Sequence, residues 1–211
     1  MKPLQIFDGH IHAPYFILID GGTAYTAEEA MKLLGIQGFK AAKQLEFSNH
    51  FLHITDDGRW LHLVDDWLYT QWHSKSIRDQ IVKLAGKHDI FTCSVGDTDH
   101  SFDFEYYRDG KLIRQYVVED MNYDGGHVTR DFGVPLPGEA EAFRHTDEID
   151  RVLAIARSIG IVIDHTPENI RSFTKRYGGL SRLLPNPTFL RRLFGPKLEA
   201  EPHPTAGNAP V

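Results

Sequence analysis

Two Asp-Gly dipeptides limit the folds open to this chain more than any other feature of its sequence. Asp57-Gly58 and Asp109-Gly110 each stand between stretches in which apolar and polar residues alternate. Asp-Gly is favoured in the two-residue turn of a β-hairpin because both turn residues need a positive φ angle. The sequence therefore predicts two antiparallel hairpins, over residues 47–64 and 102–118, and a strand over residues 88–95 that joins the same sheet.

The second hairpin also has a predicted register. If Asp109-Gly110 is a two-residue loop, Glu105 lies directly opposite Arg114. Opposite charges across a strand pair favour such a register. The acidic stretch over residues 97–105 is therefore predicted to form ion pairs along the strand rather than a metal site.

Amphipathic stretches between the strands predict helices. Thr26 and Glu29 have the spacing of a capping box, which marks the start of a helix. Later in the chain, Thr166-Pro167 has the order of a helix cap followed by a first-turn proline. Four helices are predicted, over residues 26–34, 76–85, 147–159 and 166–177, with a short fifth as a further candidate after Asn186-Pro187. The fourth is expected to bury Ile170 and Phe173.

These elements indicate an α+β fold, with a mainly antiparallel sheet built from Asp-Gly hairpins and helices packed on one face. A helix followed by a hairpin occurs twice, which either a duplicated unit or independent turn chemistry explains. We divide the chain into an acidic α+β domain over residues 1–165, a basic helical extension over residues 166–197 and a tail over residues 198–211. The tail has almost no apolar side chains, so it is predicted to be disordered.

The net charge of −6 conceals two regions of opposite sign. Residues 1–166 hold 16 basic and 26 acidic side chains, a net charge of −10, whereas residues 167–197 have a net charge of +6. The acidic body argues against nucleic-acid binding and suits a basic protein partner. The argument against nucleic-acid binding does not extend to the basic residues 167–197. The apolar residues of that segment also favour self-association into a homo-oligomer.

Composition excludes further classes of protein. No apolar run is long enough to span a bilayer, and the first eight residues contain no core of a signal peptide. Cys93 is the only cysteine, which favours a reducing compartment and an inert, buried thiol. Phosphate-binding glycine loops and the Gly-x-Ser-x-Gly elbow are absent from the sequence. A cytoplasmic protein without membrane contact is expected.

Asp8, His10 and His12 form the motif with the most specific chemistry. Strand side chains two positions apart point the same way, so two imidazoles and a carboxylate here can hold Zn²⁺, Mn²⁺ or Fe²⁺. The string resembles the first-strand metal motif of amidohydrolases, which implies a hydrolase with a divalent transition metal. That family is an eightfold barrel of about 250 residues, and this chain has no eightfold alternation of strand and helix. A polar strand face with hydrogen-bonded histidines is the alternative interpretation.

Aromatic and acidic residues at the end of the first hairpin form a candidate binding surface. Tryptophan and tyrosine are favoured at binding hot spots because they bury a large area with few rotatable bonds. An acidic, aromatic surface would dock on a basic partner. The alternative is that these rings fill the core or cover the edge of the sheet. The candidate residues are Trp60, Asp65, Asp66, Trp67, Tyr69 and Trp72.

The order of the elements and two stretches support a resemblance. Residues 57–64, Asp-Gly-Arg-Trp-Leu-His-Leu-Val, and residues 104–112, Phe-Glu-Tyr-Tyr-Arg-Asp-Gly-Lys-Leu, resemble small bacterial proteins of unknown function. Some proteins of that kind are immunity partners of polymorphic toxins. The resemblance covers about residues 15–160 and implies a non-enzymatic protein that binds and neutralises a basic partner, with no catalytic residue and no cofactor. The metal-dependent hydrolase is the alternative function.

Overall fold

The computed structural model describes residues 14–42, 51–66, 75–96, 99–120, 122–163 and 170–175. Within these ranges the chain forms an antiparallel sheet of nine strands and four α-helices, which agrees with the predicted α+β class. The strands are β1 (Pro14–Asp20), β2 (Phe39–Ala41), β3 (Phe51–Asp56), β4 (Trp60–Asp66), β5 (Ile90–Val95), β6 (Phe102–Arg108), β7 (Lys111–Glu119), β8 (His127–Gly133) and β9 (Arg171–Lys175). The helices are α1 (Ala27–Leu33), α2 (Lys75–Leu84), α3 (Glu139–Ala142) and α4 (Glu148–Ser158).

The strand order is β2-β9-β3-β4-β1-β5-β6-β7-β8, so β2 and β8 are the two edges of the sheet that the described residues form. Side chains of a strand alternate between the two faces of a sheet. The central strands therefore contribute apolar side chains to two separate cores, one on each face. On β1, Phe16 and Leu18 pack in the core that contains α4, whereas Ile17 and Ile19 pack in the core that contains α1 and α2. The prediction that the helices pack on one face is therefore wrong. Both faces are apolar in the middle of the sheet, and each needs a cover.

The start of α1 has the cap that the sequence predicts. The Thr26 hydroxyl accepts a hydrogen bond from the Glu29 amide at 3.2 Å, and the Glu29 carboxylate accepts one from the Thr26 amide at 2.8 Å. The capping box is confirmed, and at the start of α4 the Asp147 carboxylate accepts hydrogen bonds from the Ile149 and Asp150 amides. No helix within the described ranges is both long and apolar enough to cross a membrane.

The loop between β6 and β7 has the backbone geometry that an Asp-Gly turn requires. Arg108 pairs with Lys111, which leaves Asp109 and Gly110 as the loop, with φ angles of 52° and 71°. Between β3 and β4 the turn lies one residue later than predicted: Asp56 pairs with Leu61, and the Asp57 amide donates to the Trp60 carbonyl oxygen at 3.2 Å, which leaves Gly58 and Arg59 as the turn residues. The two hairpins therefore have different registers despite their common dipeptide.

A β-bulge shifts the register of the second hairpin two pairs beyond its turn. The irregularity lies between Tyr106 and Tyr107, and it places Arg114 opposite Tyr106 and Glu105 opposite Gln115. The predicted pairing of Glu105 with Arg114 is wrong. A bulge inserts one unpaired residue, so every later residue of β7 faces a neighbour one position from the predicted one. The side chain of Arg114 consequently points to the α4 side of the sheet.

Residues 171–175 form a strand and not part of the predicted fourth helix. This strand, β9, lies between β2 and β3, where Phe173 pairs with both Ala41 and Leu52. Ile170 and Phe173 are buried, as predicted, but Phe173 lies in the sheet and Ile170 lies just before β9 in the core that contains α4. The sheet thus includes residues beyond the predicted domain boundary at residue 165. The rest of the basic extension and the tail, residues 166–169 and 176–211, lie outside the described residues.

Candidate functional site: an exposed sheet edge

The predicted metal motif is not part of the described structure. Asp8, His10 and His12 all precede the first described residue, Pro14. Among the residues that are described, no three histidine, cysteine, aspartate or glutamate side chains lie close enough together to hold a metal ion. The metal-dependent alternative therefore stays a prediction based on sequence.

The predicted aromatic and acidic surface is divided by the fold. The Trp60 side chain is only 1% exposed and packs in the core beneath α4, and Asp65 is also only 1% exposed. Both belong to β4, a central strand covered on both faces, so neither side chain is available to a docking partner. The side chain of Asp66 and residues Trp67, Tyr69 and Trp72 lie outside the described part of the chain.

Two carboxylates of the predicted ion-pair ladder are buried and bound by neutral donors. The Ser94 hydroxyl donates to Asp103 at 2.6 Å. Glu105 accepts hydrogen bonds from the Tyr107 hydroxyl and the Gln115 amide, each at 2.6 Å. Burial raises the pKa of Tyr107, and the nearby Glu105 carboxylate raises it further. These groups hold β5, β6 and β7 together on the face that α1 and α2 occupy.

Cys93 has the role expected from the sequence. Its side chain is fully buried in the core beneath α4, and the thiol is free. Burial raises the pKa of this thiol well above its ordinary value. Since the thiolate is the reactive form of cysteine, this buried environment opposes a nucleophilic role.

The exposed apolar side chains of the described residues are concentrated at the β8 end of the sheet. Eight large apolar side chains are exposed, and five of them lie between positions 113 and 134. All seven residues of β8 are exposed, whereas six of the seven residues of β6, which lies on the other side of β7, are buried. We call the five residues the β8 surface: Ile113, Tyr123, Val128, Phe132 and Val134.

The apolar side chains of β8 lie on both faces of the sheet. Val128 is opposite Val118, which packs in the core beneath α4. Phe132 is opposite Gln115, whose neighbour Glu105 lies on the face of α1 and α2. Paired residues of an antiparallel sheet share a face, so Val128 and Phe132 project from opposite sides. Each is 53% exposed.

Hydrogen bonds from the buried side chain of Arg114 fix the position of β8. Its side chain is 1% exposed, and it donates hydrogen bonds to the Asp131 carboxylate and to the Phe132 carbonyl oxygen at 2.9 Å. On its other side the guanidinium donates two hydrogen bonds to Glu139, which is itself 2% exposed. The bonds to Glu139 raise the pKa of Arg114 above its ordinary value. A permanently charged group thus joins β7, β8 and the start of α3.

Gly133 allows the end of β8 to approach β7 closely. Its φ angle is +86°, and a Cβ atom added there would lie 2.0 Å from the carbonyl oxygen of Ile113. At the other end of the strand, His127 forms an ion pair with Asp124 at 2.9 Å, which raises the pKa of the imidazole. The end of β8 at Gly133 therefore lies tightly against β7, whereas the exposed pair at its start joins His127 to the preceding loop.

The sequence pattern did not reveal this edge. From His127 to Val134 the apolar residues do not alternate strictly with polar ones. A second bulge, between Val117 and Val118 in the pairing with β8, explains the irregular spacing. The available signal was a stretch containing Val, Thr and Phe bounded by Gly125-Gly126 and Pro135, which is typical of a strand between turns.

Comparison with known proteins gives no match: no family model, no curated protein and no solved structure is similar to this chain. The resemblance to immunity proteins therefore stays a prediction. What this chain does has to be inferred from its own surfaces and charges.

Proposed function

We propose that this chain is a non-enzymatic cytoplasmic protein, immunity-like in its role, that binds a basic partner protein through the β8 surface. The concentration of exposed apolar side chains on one edge of the sheet carries the proposal. A concentration of exposed apolar side chains on one part of a folded protein marks a candidate site of interaction. Phe132 and Val134, which are 53% and 79% exposed, are suited to be the anchors of the interface.

The charge of the chain supports a basic partner. Residues 1–166 have a net charge of −10, so a protein of opposite charge is attracted over a long distance before contact. The apolar β8 surface would then supply the contact itself. Arg114 and its carboxylate partners hold β8 in place before binding, which lowers the entropy lost on association.

Two matched variants of the full chain test the proposal. Phe132→Glu places a charge in the β8 surface, and Leu33→Glu places the same charge on α1, where Leu33 is 39% exposed. Tagged chains are expressed in the native host, bound proteins are identified, and the captured protein is purified and titrated against each chain by calorimetry. We expect a basic protein that binds the unaltered chain and Leu33→Glu equally and binds Phe132→Glu at least about tenfold more weakly.

Other results would overturn the proposal. Recovery of no stoichiometric protein contradicts it, as does a captured protein that is acidic. Equal affinity of the Phe132→Glu and Leu33→Glu chains for the captured protein also contradicts it, because the β8 surface would then have no part in binding.

A further inference from the structure

We infer that the partner binds by adding an extended segment of its own chain to β8 as a tenth strand of the sheet. The inference rests on the proposed function and specifies how the β8 surface is used. Among the described residues β8 pairs only with β7, so one row of its backbone N–H and C=O groups has no strand partner. Such a row is a template for an added strand.

The placement of the apolar side chains favours a strand over other occupants. Val128 and Phe132 project from opposite faces of the sheet, and both are half exposed. A helix or a flat surface laid on one face would cover only one of them. An added strand continues both faces at once, so its alternating side chains cover Val128 on one side and Phe132 on the other.

The charges of β8 disfavour a second copy of this chain as the occupant. A two-fold axis perpendicular to the sheet at the middle of β8 would place Arg130 opposite Arg130 or Asp131 opposite Asp131. Like charges directly opposite each other are destabilising in a sheet. An extended segment of a basic protein, apolar on both faces, avoids these conflicts.

A synthetic peptide of defined chemistry tests the mode of binding without knowledge of the partner. The probe has five valines between two pairs of lysines, and the control has five prolines in place of the valines. Both peptides carry the same charge, but proline has no N–H with which to extend a sheet. Each is added to the isotopically labelled full chain, and exchange of the β8 backbone amides with solvent is followed by NMR.

We expect the valine peptide to slow amide exchange at alternate residues of β8 by at least about tenfold, and the proline peptide to leave it unchanged. Phe132→Glu should weaken this effect and Leu33→Glu should not. Equal effects of the two peptides, effects confined to other strands, or no effect of either would each overturn strand addition. Dimerisation of the free chain through β8, measured by sedimentation, would also overturn it. The capture experiment does not depend on the peptide, so the two proposals can fail separately.

Discussion

Arg114 is the residue on which the position of the exposed edge depends. Its guanidinium lies between Glu139 and Asp131, and it also stacks over Tyr116 with its central carbon 5.3 Å from the ring centroid. The sequence-based register assigned it to a different partner, Glu105, because the bulge in the second hairpin leaves no local signal. A buried arginine cannot be recognised from composition when its partners come from distant segments.

Replacing Arg114 with alanine should destabilise the chain strongly. The change leaves the Glu139 carboxylate buried without its cation, which costs about 3–5 kcal/mol in the free energy of unfolding. Unfolding in urea measures this loss. The control is the double variant Arg114→Leu with Glu139→Leu, which removes both charges and should recover much of the stability. A double variant as unstable as the single one would contradict a role for the ion pair.

At the level of elements, β8 depends on the close approach that Gly133 permits. Gly133→Ala should detach the end of β8 from β7, because the new methyl group would overlap the carbonyl oxygen of Ile113. Gly125→Ala is a matched control, since Gly125 also has a positive φ angle, +104°, but no atom lies near its added Cβ. Faster amide exchange in β8 for Gly133→Ala than for Gly125→Ala is the expected result. Equal exchange would mean that only backbone strain matters.

The elements that the sequence predicted well are those with local signals. The Thr26 capping box and the apolar stripe of Ile77, Ile81 and Leu84 are properties of a single helix, and the structure contains both. By contrast, Ile170 and Phe173 are spaced three apart, which suits a helix as well as an irregular strand. Their segment is a strand because β2 and β3 supply its hydrogen bonds, and pairing over such a distance leaves no mark in the local pattern.

Across the whole molecule, buried histidine links the stability of the sheet to pH. His53 lies on β3, on the face of the sheet that α4 covers, and its side chain is 0% exposed. Its Nδ1 is 2.9 Å from the Ser172 hydroxyl on β9. Burial lowers the pKa of His53 from 6.5 to about 4. The unfolded chain therefore binds a proton more tightly than the folded chain, and acid favours unfolding.

We expect stability to fall as the pH drops from about 6.5 to about 4, by about 3 kcal/mol for His53 alone. His53→Gln should flatten this part of the curve of unfolding free energy against pH, whereas His145→Gln, at an exposed position, should not. Asp57 acts at lower pH, because hydrogen bonds from His62 and from backbone amides outweigh burial and lower its pKa. An unchanged slope in the His53→Gln chain would refute the assignment.

The place of β9 in the sheet has a consequence for translation. β3 ends at residue 56, and the strand that fills the space between β2 and β3 begins only at residue 171. The ribosome delivers the amino-terminal strands first, so a nascent chain carries one flank of β3 unpaired through most of its synthesis. During that interval the unpaired flank of β3 can bind wrong segments of chain. A chaperone that covers this flank would give the nascent chain the most protection.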